Sequence, residues 1–231
     1  MRPGSKRINK YLAESGACSR RGADKFIEEG RVTINGAPAT LGSVVDDSDV
    51  VELDGKALLP KEKAIYLAFY KPLGVTCTTD RRDPSNIIDY INYPERIFPV
   101  GRLDKNSSGL ILLTNNGDIV NTLLRAENNH EKEYIVSVDK PLADDFKPKM
   151  EGGLPILGQT TLPCEVNILG SRRFSIVLHQ GLNRQIRRMC EYLGYRVVKL
   201  RRIRFMNIEL GNMKPGDIRK LTDREIRGLT G

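Results

Sequence analysis

The sequence has few of the residues that build metal sites and disulfide scaffolds. Its 231 residues include four cysteines, two histidines and no tryptophan. The cysteines lie far apart, without a CxxC pair or a disulfide-like spacing, and two histidines offer a metal few ligands. These six residues are Cys18, Cys77, Cys164, Cys190, His130 and His179. We therefore expect reduced thiols, no metal and no metal cofactor.

Long apolar runs are also missing. No stretch approaches the ~20 apolar residues that a membrane helix needs, so we expect no membrane span. The N-terminal stretch "MRPGSKRINKYLAES" has no apolar h-region, which argues against a secretory signal peptide. These absences predict a protein of the cytoplasm.

Positive charge exceeds negative charge and is concentrated in one segment. The formal net charge is +8, which favours an anionic partner. Between residues 184 and 204 one acid, Glu191, accompanies eight cations: Arg184, Arg187, Arg188, Arg196, Lys199, Arg201, Arg202 and Arg204. A solvated face usually mixes its signs, so this concentration indicates a surface that follows nucleic-acid phosphates. A membrane surface fits less well, because the helix predicted here lacks a leucine-rich or aromatic face.

Residues 6–54 have the pattern of a small independent unit. Apolar residues at helical spacing from Ile8 predict a first helix, and Ser19 is a suitable N-cap for a second. Asn35-Gly36 within the alternating "RVTINGAPAT" predicts a β-hairpin. Three cations are expected on the surface of the second helix: Arg20, Arg21 and Lys25.

The rest of the chain predicts a linker and a larger domain. Residues 55–64 are polar, contain a proline and lack periodicity, which is typical of a linker. Residues 65–231 contain many strand patterns and a few helical ones, without regular βαβ alternation. This mixture predicts an α+β domain with a mainly antiparallel mixed sheet.

The stretch "VGRLDKNSSGL", residues 100–110, places one carboxylate between two cations. Asp104 stands near Arg102 and Lys105, just before the apolar run "LILL". In isolation, a loop aspartate of this kind caps a turn or pairs with a neighbour. A carboxylate beside cations in a cleft is also a candidate functional group, and the sequence around it leaves both interpretations open.

The segment "NRQIRRMCEYLGY" predicts an amphipathic helix. Its apolar stripe begins at Ile186, and Arg187 falls about 110° from the centre of that stripe at 100° per residue. An arginine at this border either covers apolar neighbours with its stem or reaches into a cleft. In the basic strand that follows, we expect Val198 and Leu200 on one face and a bulge at Arg201-Arg202.

Two further residues stand at the ends of predicted strands. Tyr134 opens the strand "YIVSVD", where a tyrosine is ordinarily a core or edge residue. In an RNA-binding protein it can instead stack on an unpaired base. Lys71 begins the turn "KPLG", and the pattern itself predicts only a turn.

Taken together, these stretches resemble the RsuA-type family of bacterial ribosomal RNA pseudouridine synthases. The segments "FYKPLGV", "GRLDKNSSGLILLTNNGD", "EKEYIV" and "GLNRQIRRMCEYLGYRVVKLRRIRF" are similar to its motifs and occur in family order. Residues 6–54 resemble an S4 RNA-binding domain. "HEKEY", "PILG" and "QGLNRQIRRMCE" are most similar to members that modify the large ribosomal subunit, which implies a 23S rRNA substrate.

The resemblance implies a role for each matched residue. Asp104 would be the nucleophile, and its attack on the sugar or on the base is left open. Arg187 would keep Asp104 ionised. The bound RNA would be contacted by Arg102, which holds the opened strand, by Tyr134, which stacks on the base, and by Leu200, which packs against it. It implies no cofactor and no metal.

The chemistry agrees with these residue types. A nucleophile that attacks without free water must be anionic at neutral pH, as an aspartate is. A guanidinium beside it counteracts the effect of burial, and the target base must leave its stack. Further RNA contacts are expected from nine cations: Arg20, Arg21, Lys25, Lys71, Arg184, Arg188, Lys199, Arg201 and Arg202.

Two other functions compete with an isomerase. A non-catalytic RNA-binding protein of ribosome assembly would use the same basic surfaces without needing Asp104. A glycosidase would need a second carboxylate, and none accompanies Asp104 in the matched motifs. A transfer RNA substrate stays open beside ribosomal RNA, and we expect a monomer.

Overall fold

The computed structural model describes residues 5–59, 64–124 and 130–230. The chain divides into two units, Met1–Ala64 with Asn115–Gly117, and Ile65–Thr114 with Asp118–Gly231. Within the described ranges, no helix is long and apolar enough to cross a membrane.

The first unit is built on two short helices that each bury one apolar side. Helix α1 runs over Ile8–Glu14 and α2 over Arg20–Glu28. The Ser19 hydroxyl accepts a hydrogen bond of 3.0 Å from the Gly22 N–H, which confirms the predicted N-cap of α2. Buried apolar residues of both helices form the core of this unit with the strands that follow.

Short strands complete the first unit. They are β1 (Lys6–Arg7), β2 (Val32–Ile34), β3 (Ala37–Pro38), β4 (Val44–Val45), β5 (Val51–Leu53) and β6 (Lys56–Ala57). Asn35 and Gly36 join β2 to β3 with φ angles of 51° and 80°, the conformation of a tight hairpin turn. The predicted hairpin is confirmed.

The predicted linker over 55–64 is wrong at its N-terminal end. Lys56–Ala57 pair with Glu52–Leu53 in an antiparallel ladder, and the Leu58 N–H donates to the Val51 carbonyl at 2.8 Å. Backbone pairing needs no apolar periodicity, so the polar composition of this stretch hid a strand. Residues 60–63 lie outside the described residues.

The described residues of the second unit form the remaining strands and five helices. The strands are β7 (Tyr66–Lys71), β8 (Phe98–Val100), β9 (Ser108–Thr114), β10 (Lys132–Val138), β11 (Pro155–Ile156), β12 (Gln159–Thr160), β13 (Glu165–Gly170), β14 (Arg173–Leu178), β15 (Val197–Phe205), β16 (Ile208–Glu209) and β17 (Ile218–Lys220). The helices are α3 (Ile87–Ile91), α4 (Gly117–Leu124), α5 (Phe146–Glu151), α6 (Gln185–Tyr192) and α7 (Asp223–Thr230).

One large sheet runs through the second unit. Its strand order is β13-β14-β10-β15-β9-β7-β17, with β16 added to β15 and β8 added to β9. Strands β15 and β9 pair in parallel, while the other described pairs of this sheet are antiparallel. The predicted α+β class with a mainly antiparallel mixed sheet is confirmed.

The register of β15 departs from the predicted alternation at its beginning. Ser137 of β10 pairs with Lys199 while Val138 pairs with Val197, so Val198 is an extra residue. Val198 is 57% exposed whereas Leu200 is 7% exposed. The prediction that these two residues share a face is therefore wrong, because a bulge reverses the alternation between them.

A second irregularity lies close to the predicted one. Glu133 pairs with Arg204 and Tyr134 pairs with Arg202, so the extra residue is Ile203. The doubled Arg201-Arg202 thus precedes the bulge by one position. Leu200 and Arg202 remain on the same face of the strand, because residues two apart point the same way.

Helix α7 begins with a capping box, in which side chains pair with backbone N–H groups of the first turn. The Thr222 N–H donates to the Glu225 carboxylate at 2.8 Å, and the Glu225 N–H donates to Oγ1 of Thr222 at 3.3 Å.

We expect Gly109→Ala to destabilise the sheet strongly. Gly109 has a φ of +110°, and an added Cβ would lie 2.1 Å from the carbonyl oxygen of Arg202. Backbone strain of about 1–2 kcal/mol and overpacking should together lower the free energy of unfolding by about 3 kcal/mol or more. Urea unfolding followed by circular dichroism measures this change.

Gly158→Ala is the matched control. Gly158 also has a positive φ, of +73°, but an added Cβ would meet nothing within 4 Å. This variant should lose only about 1–2 kcal/mol. Equal losses in the two variants would show that the close approach between β9 and β15 does not matter.

Candidate active site

A short loop between β8 and β9 carries Asp104. Gly101 begins the loop with a φ of 73°, and the Ser107 N–H donates to the Asp104 carbonyl at 3.0 Å, which closes a turn. Leu103 is buried, and its N–H donates to the Cys77 sulfur at 3.3 Å. The loop is therefore anchored on its apolar side while the Asp104 side chain stays 32% exposed.

Lys71 supports this loop from inside the protein. Its ammonium donates to the carbonyls of Pro72 at 2.9 Å and Val75 at 2.8 Å, with a longer contact of 3.5 Å to the Lys105 carbonyl. The Gly74 N–H donates to the same Lys105 carbonyl at 2.9 Å. Burial lowers the pKa of Lys71, and the nearby Cys77 and Asp104 oppose that shift.

The expectation that Lys71 contacts RNA is wrong. Its side chain is 0% exposed, so no phosphate can reach it. The ammonium instead donates to carbonyls of both the turn after β7 and the loop that carries Asp104. A lysine at the end of a strand is usually exposed, and for that reason its sequence position suggested a surface contact.

Arg187 on α6 also lies beside Asp104. Its Nε lies 3.6 Å from Oδ2 of Asp104, an ion pair longer than a hydrogen bond. Nη2 donates to the Asn106 carbonyl at 2.7 Å and to Oγ of Ser107 at 3.1 Å. Burial lowers the pKa of Arg187, and Asp104 opposes this effect. The guanidinium is thus fixed to the loop that carries the carboxylate.

Asp104 faces a large cavity whose lining is strongly cationic. The cavity has a volume of about 640 Å³. Asp104 is the only acid among its described lining residues, which include the cations Arg102, Lys105, Lys132, Arg184 and Arg202. Such a cavity attracts an anionic ligand and is large enough for a nucleotide-sized one.

Tyr134 and Leu200 form an apolar part of the same lining. Tyr134 is half-buried on β10, and Leu200 is 7% exposed on the neighbouring strand β15. Tyr134 pairs with Arg202 and Val136 pairs with Leu200. A ring and an aliphatic side chain on adjacent strands can hold a flat base between them.

The structure brings five of the predicted residues to the cavity around Asp104. They are Arg102, Tyr134, Arg184, Leu200 and Arg202. Arg102 and Arg184 are exposed, so they can reach a bound polynucleotide. Arg202 is only 3% exposed, and the expectation that it tracks phosphates on the surface is wrong; it lies in the cavity wall instead.

Three other predicted cations lie outside this cavity lining. Arg188 donates to the Asn183 carbonyl at 3.1 Å, and Lys199 is exposed on β15. Arg201 lines a second, smaller cavity of about 370 Å³ together with Arg204. Because side chains alternate along a strand, Lys199 and Arg201 point away from the face that carries Leu200 and Arg202.

In the first unit, the predicted cations occupy one helix. Arg20, Arg21 and Lys25 are exposed on α2. Lys25 lies 3.6 Å from Glu29, in an exposed ion pair of a kind that contributes little to stability. These three charges remain accessible to an anionic partner.

Three cavity residues were not singled out from the sequence. Ser107 is buried and accepts the hydrogen bond from Arg187, Cys77 anchors the loop, and Lys132 lines the cavity two positions before Tyr134. The spacing of Lys132 and Tyr134 places them on the same face of a strand, a signal that the sequence contained. The described residues hold no group of three or more His, Cys, Asp or Glu side chains that could bind a metal ion.

Two family models match the chain. The model for RNA pseudouridylate synthases matches residues 65–192, and the model for S4 domains matches residues 6–51. The first match covers more than half of the chain and includes the loop of Asp104, the strand of Tyr134 and helix α6.

Individual proteins are similar over nearly the whole chain. The dual-specificity RNA pseudouridine synthase RluF of Salmonella typhi is 53% identical over 97% of this chain and 78% of its own length. The ribosomal large subunit pseudouridine synthase B of Bacillus subtilis is 36% identical over 96% of this chain and 95% of its own length. A crystal structure of a pseudouridylate synthase superposes with a TM-score of 0.72 at 28% identity, covering 96% and 99% of the two chains.

We expect Lys71→Met to loosen the loop that carries Asp104. The variant leaves the carbonyls of Pro72, Val75 and Lys105 without the buried donor, which should lower the free energy of unfolding by about 1–3 kcal/mol. Urea unfolding of the full chain measures the loss. Lys220→Met is the control, because Lys220 is exposed on the neighbouring strand β17. If both variants are equally stable, the ammonium of Lys71 is not what holds the two turns together.

Proposed function

The chain belongs to the RNA pseudouridylate synthase family, and we propose that its substrate is a specific uridine of 23S ribosomal RNA. It is an isomerase with an N-terminal S4 domain. The ribosomal substrate is supported by the relative named as a large-subunit synthase and by the cationic cavity around Asp104. The dual-specificity relative is the reason to test transfer RNA as a second substrate.

Asp104 is the nucleophile in this proposal. The observation that carries it is that Asp104 is the one acid among the described residues that line a cationic cavity, with Arg187 3.6 Å away. The attack falls on C1′ of the ribose or on C6 of the base. In either case the C1′–N1 bond breaks, the uracil turns within the cavity, and a C1′–C5 bond forms. N1 gains a proton and C5 loses one, so no water or cofactor is consumed.

Four residues bind and orient the target nucleotide. Tyr134 stacks on the uracil and Leu200 packs against it, which holds the base while it turns. Arg187 pairs with the Asp104 carboxylate at 3.6 Å and is bonded to the same loop, which holds the two charges side by side. Arg102, exposed at the cavity, contacts the strand from which the nucleotide has been extruded.

The remaining cations bind the RNA backbone. Arg184 acts beside the cavity, and Arg188, Lys199 and Arg201 act farther along the same basic segment. The S4 domain, proposed over 6–54, adds Arg20, Arg21 and Lys25. Extrusion of a base costs a few kcal/mol, and phosphate contacts can offset this cost with affinity that falls as salt rises.

The cellular setting follows from this substrate. We place the protein in the cytoplasm, where ribosomal RNA is accessible, and propose that it acts as a monomer. The catalytic domain is proposed over 65–231. A non-catalytic role in ribosome assembly is the alternative, and it would use the basic surfaces without the carboxylate.

We expect Asp104→Asn to abolish pseudouridine formation while preserving RNA binding. In cells that lack this chain, mapping of pseudouridine in ribosomal and transfer RNA should reveal a lost site in 23S rRNA. Wild-type protein should restore this site. Asp104→Asn should reduce its formation by at least about 1000-fold, as expected for loss of a nucleophile, with an RNA Kd within about threefold of wild type because Arg187 and the other cations remain.

Asp144→Asn provides the same chemical change at an exposed position outside the described cavity lining, and it should restore the site fully. If deletion removes no pseudouridine although the protein binds ribosomal RNA, the non-catalytic alternative is favoured. Restoration of the site by Asp104→Asn would exclude this residue as the nucleophile.

A further inference from the structure

Arg202 has a buried hydrogen-bond donor that no described residue satisfies. Its side chain is 3% exposed, and Nε donates to the Leu110 carbonyl at 2.7 Å. Nη2 is also buried, and it has no hydrogen-bond partner within the described part of the chain. Buried polar atoms are almost always paired, so an unpaired charged donor needs an explanation. One explanation is a ligand that supplies the missing acceptor.

The location of Arg202 agrees with this explanation. One edge of β9 pairs with β15 at Ser108 and Gly109 and then with β8 at Leu112–Thr114. The sheet therefore opens between β15 and β8. Arg202, Phe205 of β15 and Val100 of β8 all line the cavity of Asp104 at this opening.

Lys132 adds a second positive charge to this part of the cavity. Its ammonium donates to the His130 carbonyl at 2.8 Å, with a longer contact of 3.5 Å to the His179 carbonyl. Both Lys132 and Arg202 lie within 6 Å of the Phe205 ring centroid. Among the described residues, no carboxylate forms an ion pair with either cation. Two cations without acidic partners favour an oxygen that carries negative charge.

Tyr134 determines which part of a nucleotide comes nearest to Arg202. The two residues are paired across β10 and β15, so a base stacked on the tyrosine has an edge beside the guanidinium. The phosphates of an extruded nucleotide stay with the RNA backbone near the exposed Arg102 and Arg184. The base goes deepest into the cavity, and Arg202 is the most buried of the cations that line it.

We propose that Arg202, with Lys132 beside it, donates a hydrogen bond from Nη2 to a carbonyl oxygen of the target uracil. This inference rests on the proposed function. It makes Arg202 a substrate-binding residue of the reaction, in contact with the base itself rather than with phosphate.

The hydrogen bond from Arg202 would stabilise the reacting uracil whether Asp104 attacks C6 of the base or C1′ of the ribose. If Asp104 adds to C6, the electron pair of the C5=C6 bond moves through C4 and leaves a negative oxygen at position 4. If the C1′–N1 bond breaks first, its electron pair stays on the uracil and is shared by N1 and the carbonyl oxygens. In both cases a carbonyl oxygen gains negative charge, and a donor already in place stabilises it.

The test combines changes in the protein with changes in the base. The full chain is given a stem-loop transcript of 23S rRNA that the wild type converts, with the target uridine intact or replaced by 2-thiouridine or 4-thiouridine. Sulfur is a weaker hydrogen-bond acceptor than oxygen. Single-turnover rates and RNA Kd values are measured for wild type, Arg202→Lys, Lys132→Met and the control Arg173→Gln, an exposed residue of β14.

We expect Arg202→Lys to slow the single-turnover rate by about 100-fold or more while the RNA Kd stays within about threefold. One of the two thio substitutions should slow the single-turnover rate of the wild type but change the rate of Arg202→Lys by at most twofold. The position of that sulfur identifies the carbonyl oxygen that Arg202 binds. Arg173→Gln should match the wild type with every transcript.

The proposal would be overturned if each thio substitution slows the single-turnover rate of Arg202→Lys by the same factor as it slows that of the wild type, because Arg202 would then act independently of both carbonyl oxygens. It would also fail if the effect of Arg202→Lys on the rate depends on a neutral methylphosphonate placed beside the target in the transcript and not on a thio substitution. Arg202 would then bind phosphate. If Arg202→Lys does not fold, as judged by circular dichroism, Lys132→Met decides by the same criterion. A wild-type chain that converts no ribosomal transcript would refute the proposed function instead.

Discussion

The ion pair between Asp104 and Arg187 is the interaction on which the site depends. A carboxylate in a half-buried position loses hydration, and a nearby guanidinium compensates for that loss. The pair joins a loop of the sheet to helix α6, and Arg187 is itself held by Asn106 and Ser107 of that loop. These bonds hold the arginine near the carboxylate in the RNA-free protein.

The imbalance of charge around this pair suits an RNA substrate. The described lining contains five cations, and Asp104 is its only acid. Exposed cations attract the phosphate backbone, whereas the buried Arg202 can meet only a group that enters the cavity. The same cavity can thus attract the RNA backbone through its exposed cations and contact the target base through the buried Arg202.

Local features of the fold could be predicted from the sequence. The Ser19 cap, the Asn35-Gly36 turn and the capping box of Thr222 each involve residues at most three apart. The border position of Arg187 followed from helical periodicity. Features set by distant contacts could not be predicted in this way. The bulges in β15 depend on pairing with β10, which alternation within one strand does not contain.

Burial of individual cations was the main feature that sequence patterns did not predict. Lys71 and Arg202 were expected on the surface, as most lysines and arginines are. Lys71 is buried because the turn after β7 and the Asp104 loop both present carbonyls to it, the latter from Lys105, 34 residues further along the chain. Arg202 is buried where β15 and β8 separate along β9. Each position is created by elements that are far apart in the chain.

A crystal structure of Asp104→Asn bound to its RNA tests the central claim most directly. We expect the target uridine outside its helical stack, with its base between Tyr134 and Leu200 and with C1′ or C6 next to residue 104. Arg187 should remain beside that residue. A target uridine that stays stacked in the RNA, or that enters a different part of the protein, would contradict the proposed mechanism.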